Sequence, residues 1–275
     1  LFRSSRISAD ILQDLEDAQV LFGSSFNILS HYGMESKRGG PEDEMRGKIM
    51  SKISALKMLC SHPDLLRTSA AKFNEGKGEG SLYADGLVNS GELEGIIDSP
   101  KLNYLIQYVK EFLEQDEANK VVIFATHVDM LDKISEALGK DLCRLYSGKL
   151  DAKTKEENKI AFNTDKDVRV LISSDAGGYG VDLPAANLLV NYDLPWSAGS
   201  ATQRNGRIKR ASSTWPSIVI QDVVVAGSIE ERQHEMLQQK GALASAVIDG
   251  EGFDDKGGIT MTVSSLKQFL LASAV

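Results

Sequence analysis

Apolar residues recur at helical spacing through the first sixty positions. Ile11, Leu12 and Leu15, then Val20, Leu21 and Phe22, then Phe26, Ile28 and Leu29, predict two helices broken near Gly23. The charged, turn-rich stretch ESKRGGPEDE over 35–44 predicts a loop. Met45, Ile49, Ile53, Leu56 and Leu59 restore the helical period over 45–60, and Pro63 is expected to end that helix. Residues 74–95 are rich in glycine and mixed charge, and predict a surface loop.

The texture changes from residue 96. SPKLNYLIQYVKEFLEQ (99–115) predicts an amphipathic helix with Ser99 as N-cap and Pro100 in its first turn. A short apolar run, Val121 to Ala125, predicts a buried strand followed by a helix to Leu138. Further strands are expected over 141–147, 168–175, 186–195 and 217–225. Helices are expected over 153–163, 200–210 and 228–240, and a last one over 264–271. Strands that alternate with helices, and that are apolar throughout, belong to a parallel sheet covered by helices on both faces. The fold class is therefore α/β, a three-layer parallel sheet with a helical N-terminal extension. The expected division is a helical, loop-rich extension (1–95), an α/β body (96–250) and a tail helix (251–275).

Composition narrows the class. At 275 residues, with 42% hydrophobic and 25% charged positions, the chain is an ordinary globular sequence, which excludes collagen-like and globally disordered classes. No apolar run reaches the roughly 18 residues of a membrane span, and no signal peptide opens the chain. Cys60 and Cys143 stand apart with no ligand cluster near either, which argues against a zinc site or disulfide framework, so no metal site is expected. The setting expected is intracellular, cytoplasmic in a bacterium or virus and nuclear in a eukaryote. The net charge of −8 is not that of a dedicated nucleic-acid binder, so any such contact must be local. The chain begins at Leu1, so it is expected to be a fragment or processed product.

Two segments carry candidate chemistry. QRNGRIKR (203–210) has the form Q-x-x-G-R-x-x-R, and on one helix Gln203, Arg207 and Arg210 would share a face. Two guanidiniums so placed suit phosphate oxygens. Taken alone, they are more simply a solvated basic helix. SSDAGGYGVDLPAANLLVNYDLPW (173–196) sets a glycine-rich turn after a strand, where backbone N–H groups can approach phosphate. Taken alone, it is an ordinary strand-to-helix turn. His62 is expected to be structural, and no Ser-His-Asp, Cys-His or paired-carboxylate arrangement is supported.

The order of the pieces says more. VVIFATHVDML, YSGKLD, SSDAGGYGVDLPAANLLVNYDLPW and QRNGRIKR, preceded by LKMLCSHPDLL, resemble the second RecA-like lobe of superfamily-two helicases, of the Swi/Snf-type DNA translocase subtype. The resemblance spans about 45–245. It implies that Arg207 and Arg210 are arginine fingers toward ATP, with Gln203 supporting them. It implies that Gly178, Gly180 and Asp182 couple nucleotide to DNA, and that Thr126, His127, Ser147, Gly148, Ser173 and Ser174 contact the DNA backbone. Residues 1–95 would correspond to the lobe-two protrusion. Lys209 and Ala211-Ser212-Ser213 depart from the family's usual His and Gly-Gln.

The chain contains no phosphate loop of the form G-x-x-x-x-G-K-[ST]; GLVNSGEL (86–93) has Glu92 where lysine is required. ATP with Mg²⁺ is therefore expected to be held mainly by an N-terminal RecA-like lobe, and the chain alone to be inactive. The expected partners are that lobe and double-stranded DNA, and no membrane. Two alternatives stand beside this reading: another superfamily-two lobe, from an RNA helicase or a restriction motor, or a stand-alone binding or regulatory lobe.

Overall fold

The computed structural model describes residues 4–28, 39–78, 80–175, 181–209, 213, 215–248 and 261–272. The chain divides into two compact units, one formed by Leu1–Asp98 with Val225–Val275 and the other by Ser99–Val224.

The first unit is helical. It contains α1 (Ser4–Phe22), α2 (Pro41–Ser61), α3 (Pro63–Asn74), α4 (Leu82–Asn89), α9 (Ile229–Ile248) and α10 (Val263–Ala272). Helix α1 packs on α2 and α10, α2 on α3, and α3 on α4. Ile7, Ile11, Leu15, Ile49, Ile53 and Leu66 are closed off from solvent. Gly23 ends α1 with φ +85°, a backbone state that costs glycine little. No second helix follows over 26–28. Phe26 and Ile28 are buried and their backbone pairs with the tail, Ile28 N–H donating to Met261 O at 2.8 Å and Val263 N–H to Phe26 O at 3.2 Å. A partner far along the chain overrides the local helical period.

Three further expectations shift. Helix α2 starts at Pro41, inside the expected loop, because Pro41 opens the first turn and Glu42, Asp43 and Glu44 face the positive end of the helix dipole. The glycine-rich stretch holds helix α4, capped by Ser81, whose Oγ accepts from Ala84 N–H; Ala84 and Leu87 are buried. Pro63 does end α2 and also opens α3. His62 lies between them and its Nδ1 accepts the Asp64 N–H at 3.1 Å, the structural role expected of it.

The second unit is the α/β body: α5 (Pro100–Gln115), β1 (Val121–Phe124), α6 (Val128–Leu138), β2 (Cys143–Tyr146), α7 (Ala152–Thr164), β3 (Val170–Ser173), β4 (Leu188–Asn191), α8 (Ala198–Asn205) and β5 (Val219–Asp222). Ser99 caps α5 as expected, its Oγ accepting from Leu102 N–H. The five strands form one parallel sheet in the order β2-β3-β1-β4-β5. Every residue of the three central strands is buried, so both sheet faces are covered. Edge strand β5 is the most exposed. On one face Val122, Phe124, Leu171 and Leu189 pack with Phe162 of α7, Val181, Leu183 and Ile208. Lys120, just before β1, donates from Nζ to the carbonyls of Phe162 and Asp165; burial lowers its pKa, with Asp165 opposing. Among the described residues, no helix is long and apolar enough to cross a membrane.

Candidate functional site

Parallel register brings the C-terminal ends of the strands to one edge. Phe124 lies level with Ser173 and with Asn191, and Ser173 with Tyr146. The residues that follow, Thr126–His127, Ser147–Gly148, Ser174–Asp175 and Tyr192–Asp193, therefore stand together. Ligands of open α/β sheets bind at this edge.

The edge sorts the expected phosphate contacts. Thr126 and Gly148 are exposed and His127 is half-buried. Ser173 has no exposed surface, and its Oγ donates to the Ser174 carbonyl at 3.0 Å. Ser147 and Ser174 are also buried, and Ser174 N–H donates to Tyr146 O. The covered sheet encloses the side chains of these three serines, so of the hydroxyl and N–H contacts to DNA expected of them, the hydroxyls lie buried. Lys149, beside Gly148, is exposed, with Nζ 3.7 Å from Asp129 Oδ1, and is a cation at this edge that sequence reasoning passed over.

The expected shared helix face is also corrected. Helix α8 ends at Asn205, and Gly206 closes it with its N–H on Thr202 O. A Cβ at Gly206 would lie 3.3 Å from that same carbonyl, a tight contact on a right-handed backbone. Gln203 is exposed on α8, but Arg207 lies in the turn beyond it. Arg207 is only 8% exposed. Its N–H donates to Arg204 O at 2.9 Å, and its carbonyl accepts from Leu183 N–H at 3.0 Å. Fully buried Ile208 pins the turn to the core. Asp182 is exposed between buried Val181 and Leu183. Arg210, Gly178 and Gly180 lie outside the described residues.

The sequence reading missed Arg204, the most heavily bonded cation of the site. Its Nε and Nη2 bind the two carboxylate oxygens of Asp175 at 2.5 and 2.6 Å, and its Nη1 donates to the Asp193 carbonyl at 2.5 Å. The guanidinium also stands over the Phe124 ring at 5.4 Å. Asp193 in turn accepts the Thr126 N–H on Oδ2 at 3.0 Å. Arg204 follows Gln203 directly and Asp193 is the acid of NYDLPW, but Asp175 is 29 positions from Arg204, and no local pattern pairs them. Among the described residues, no group of three His, Cys, Asp or Glu side chains is arranged to hold a metal ion. Arg207 suits a phosphate group by charge and burial.

Comparison with known proteins bears on the fold that carries this edge. Residues 100–212 match the helicase conserved C-terminal domain. The mouse DNA repair and recombination protein RAD54-like is 30% identical over 230 residues, covering 78% of this chain and 30% of that protein. The human lymphoid-specific helicase is 28% identical over 225 residues, covering 79% of this chain and 24% of that protein. The chain thus spans under a third of the length of these relatives. The C-terminal part of the Fun30 ATPase domain superposes with a TM-score of 0.55 at 18% identity, covering 98% of this chain and 94% of that one. The Sulfolobus solfataricus SWI2/SNF2 ATPase core in complex with dsDNA superposes with a TM-score of 0.56 at 21% identity, covering 90% of this chain and 43% of that one. Motifs, sheet order and relatives converge: residues 100–212 form a helicase C-terminal domain, and the chain has the RecA-like C-terminal-lobe fold of Swi2/Snf2 ATPases.

Proposed function

We propose that this chain is the finger-bearing lobe of a DNA-dependent ATPase that translocates on double-stranded DNA and remodels protein–DNA complexes. The observation that supports this reading is the state of Arg207. Its backbone is tied on both sides, its side chain is nearly out of water, and its guanidinium has no hydrogen-bond or ion-pair partner among the described residues. A cation kept in that state suits an anion brought from outside. In this reading the anion is the phosphate chain of ATP, held with Mg²⁺ mainly by an N-terminal RecA-like lobe in the same or a separate polypeptide. ATP supplies the phosphoryl group whose hydrolysis drives movement. Arg207 and Arg210 neutralise charge on that group, and Gln203 supports the helix before them.

Gly178, Gly180 and Asp182 join the nucleotide side to the DNA side. Thr126, His127 and Gly148 meet phosphates of duplex DNA, which positions the lobe without reading sequence. The setting is intracellular, and nuclear in a eukaryote. The test measures ATPase rate for this chain alone and mixed with its first lobe, each with and without duplex DNA. Turnover is expected only in the mixture, raised by duplex DNA and not by RNA. Arg207→Ala should lower it by about 10³-fold or more. A folded Arg207→Ala variant with unchanged turnover overturns the finger role; a folded mixture with no turnover favours a lobe kept for binding.

A further inference from the structure

We infer that Arg204 is a positioning residue, a clamp that joins the proposed DNA-facing turn at Thr126 to the turn that carries Arg207. This rests on the proposed function and deepens it.

The clamp has three arms. The first is the paired bond to Asp175, the residue from which the glycine-rich segment 176–180 departs. The second is the bond to the Asp193 carbonyl, with the Asn191 side-chain oxygen 3.5 Å away. The carboxylate of that same Asp193 holds the Thr126 amide. The third is Arg204's own carbonyl, which accepts the Arg207 N–H and so sets where the proposed finger emerges. The Arg204 side chain is 3% exposed, whereas Asp175 is 37% exposed. The cation is thus fixed in the interior, and its acidic partner faces the edge where ligands arrive. A planar guanidinium can bridge two carboxylate oxygens and a carbonyl at once; an ammonium cannot keep that geometry. A shift at Thr126 reaches Arg204 through Asp193 alone, and a shift at Asp175 reaches it directly. Both meet one rigid fork bonded to the finger's turn.

The test uses Arg204→Gln, Arg204→Lys, Asp175→Asn and the double variant Arg204→Gln/Asp175→Asn. In the 275-residue chain, amide exchange is followed at Thr126 and Leu183, whose N–H groups bond to Asp193 and to the Arg207 carbonyl rather than to the Arg204 or Asp175 side chain. In Arg204→Gln and Asp175→Asn alike, both amides are expected to exchange about tenfold faster, an ordinary size for coupling between sites. In the mixture with the first lobe, DNA-stimulated turnover should fall about tenfold, and by more than DNA-free turnover falls. Arg204→Lys should not rescue, and the double variant should be no worse than the worse single, as expected for groups acting as one unit. If Arg204→Gln fails to fold, Asp175→Asn keeps the bond from Arg204 to Asp193 and carries the test. Amides unchanged at Thr126 and Leu183, or equal loss of DNA-free and DNA-stimulated turnover, overturn the clamp. An unsubstituted mixture without DNA-stimulated turnover overturns the proposed function instead, and the exchange measurement still decides the clamp.

Discussion

The Nζ of Lys101 lies 3.7 Å from Oδ1 of Asp193, with both side chains almost wholly buried, and it stands 4.8 Å from the centre of the Tyr192 ring. One end of this pair opens helix α5, and the other follows β4. Removing one partner of a buried pair strands the other charge in the interior. Lys101→Met is therefore expected to cost about 3–5 kcal/mol of stability, read from urea unfolding followed by circular dichroism. Adding Asp193→Leu should recover only part of the loss, because the Thr126 N–H would then lose its acceptor. A Lys101→Met chain as stable as the parent would show that the pair contributes nothing.

Phe162 is fully enclosed under the sheet, while Ile160, two residues earlier on the same helix, is 51% exposed. Phe162→Ala should cost about 3–5 kcal/mol, since it removes a large side chain and leaves a cavity. Ile160→Ala should stay within about 0.5 kcal/mol. Unfolding midpoints of the two variants check the contrast, and equal losses would contradict this packing.

Asp151 caps α7, its carboxylate accepting from the Thr154 N–H at 2.9 Å and the Thr154 hydroxyl at 2.7 Å. The backbone bond first, then the hydroxyl, hold its pKa below the ordinary carboxylate value. A lowered folded pKa stabilises the fold above the unfolded value of about 3.9, and that gain disappears as pH falls through the folded value. Asp151→Ala should melt below the parent at neutral pH, and the gap should narrow once the pH drops under about 4. Thermal melts across that range would refute the cap if the gap were constant.

Burial pushes the Cys143 thiol up to about 11, with the Ser135 hydrogen bond and Arg144 opposing. At a pH near 8 its thiolate is then about one part in a thousand. Cys60 is only partly buried. Iodoacetamide should label Cys60 in the native chain and reach Cys143 only after unfolding, which mass spectrometry of the labelled peptides can read. Equal labelling rates in the folded chain would contradict the burial of Cys143.

Local pattern carried far in this chain. The strand cores VVIF, VLIS and LLVN are unbroken apolar runs because central parallel strands are buried on both faces, and that signal survives without any neighbour in view. The cap at Ser99 and the helix break at Pro63 were equally legible, since both depend on residues within one turn. Helix α4 was hidden by its glycines, which lower helix propensity; packing against α3 and the Ser81 cap outweigh that cost. Phe26 and Ile28 kept a helical period but pair with Met261 and Val263, partners more than 230 positions away.

For the site, the sequence by itself determined the residue types, the order of the motifs and the α/β class. These follow from short-range periodicity and from motif spacing. Tertiary structure alone decided the strand order β2-β3-β1-β4-β5 and the enclosure of Ser147, Ser173 and Ser174. It also decided that Arg207 leaves the helix of Gln203, and that Arg204 is bound to Asp175. Which strands become neighbours depends on contacts between distant segments, and burial of a given side chain depends on what packs over it. Neither quantity is written into any window of the chain short enough to be read alone.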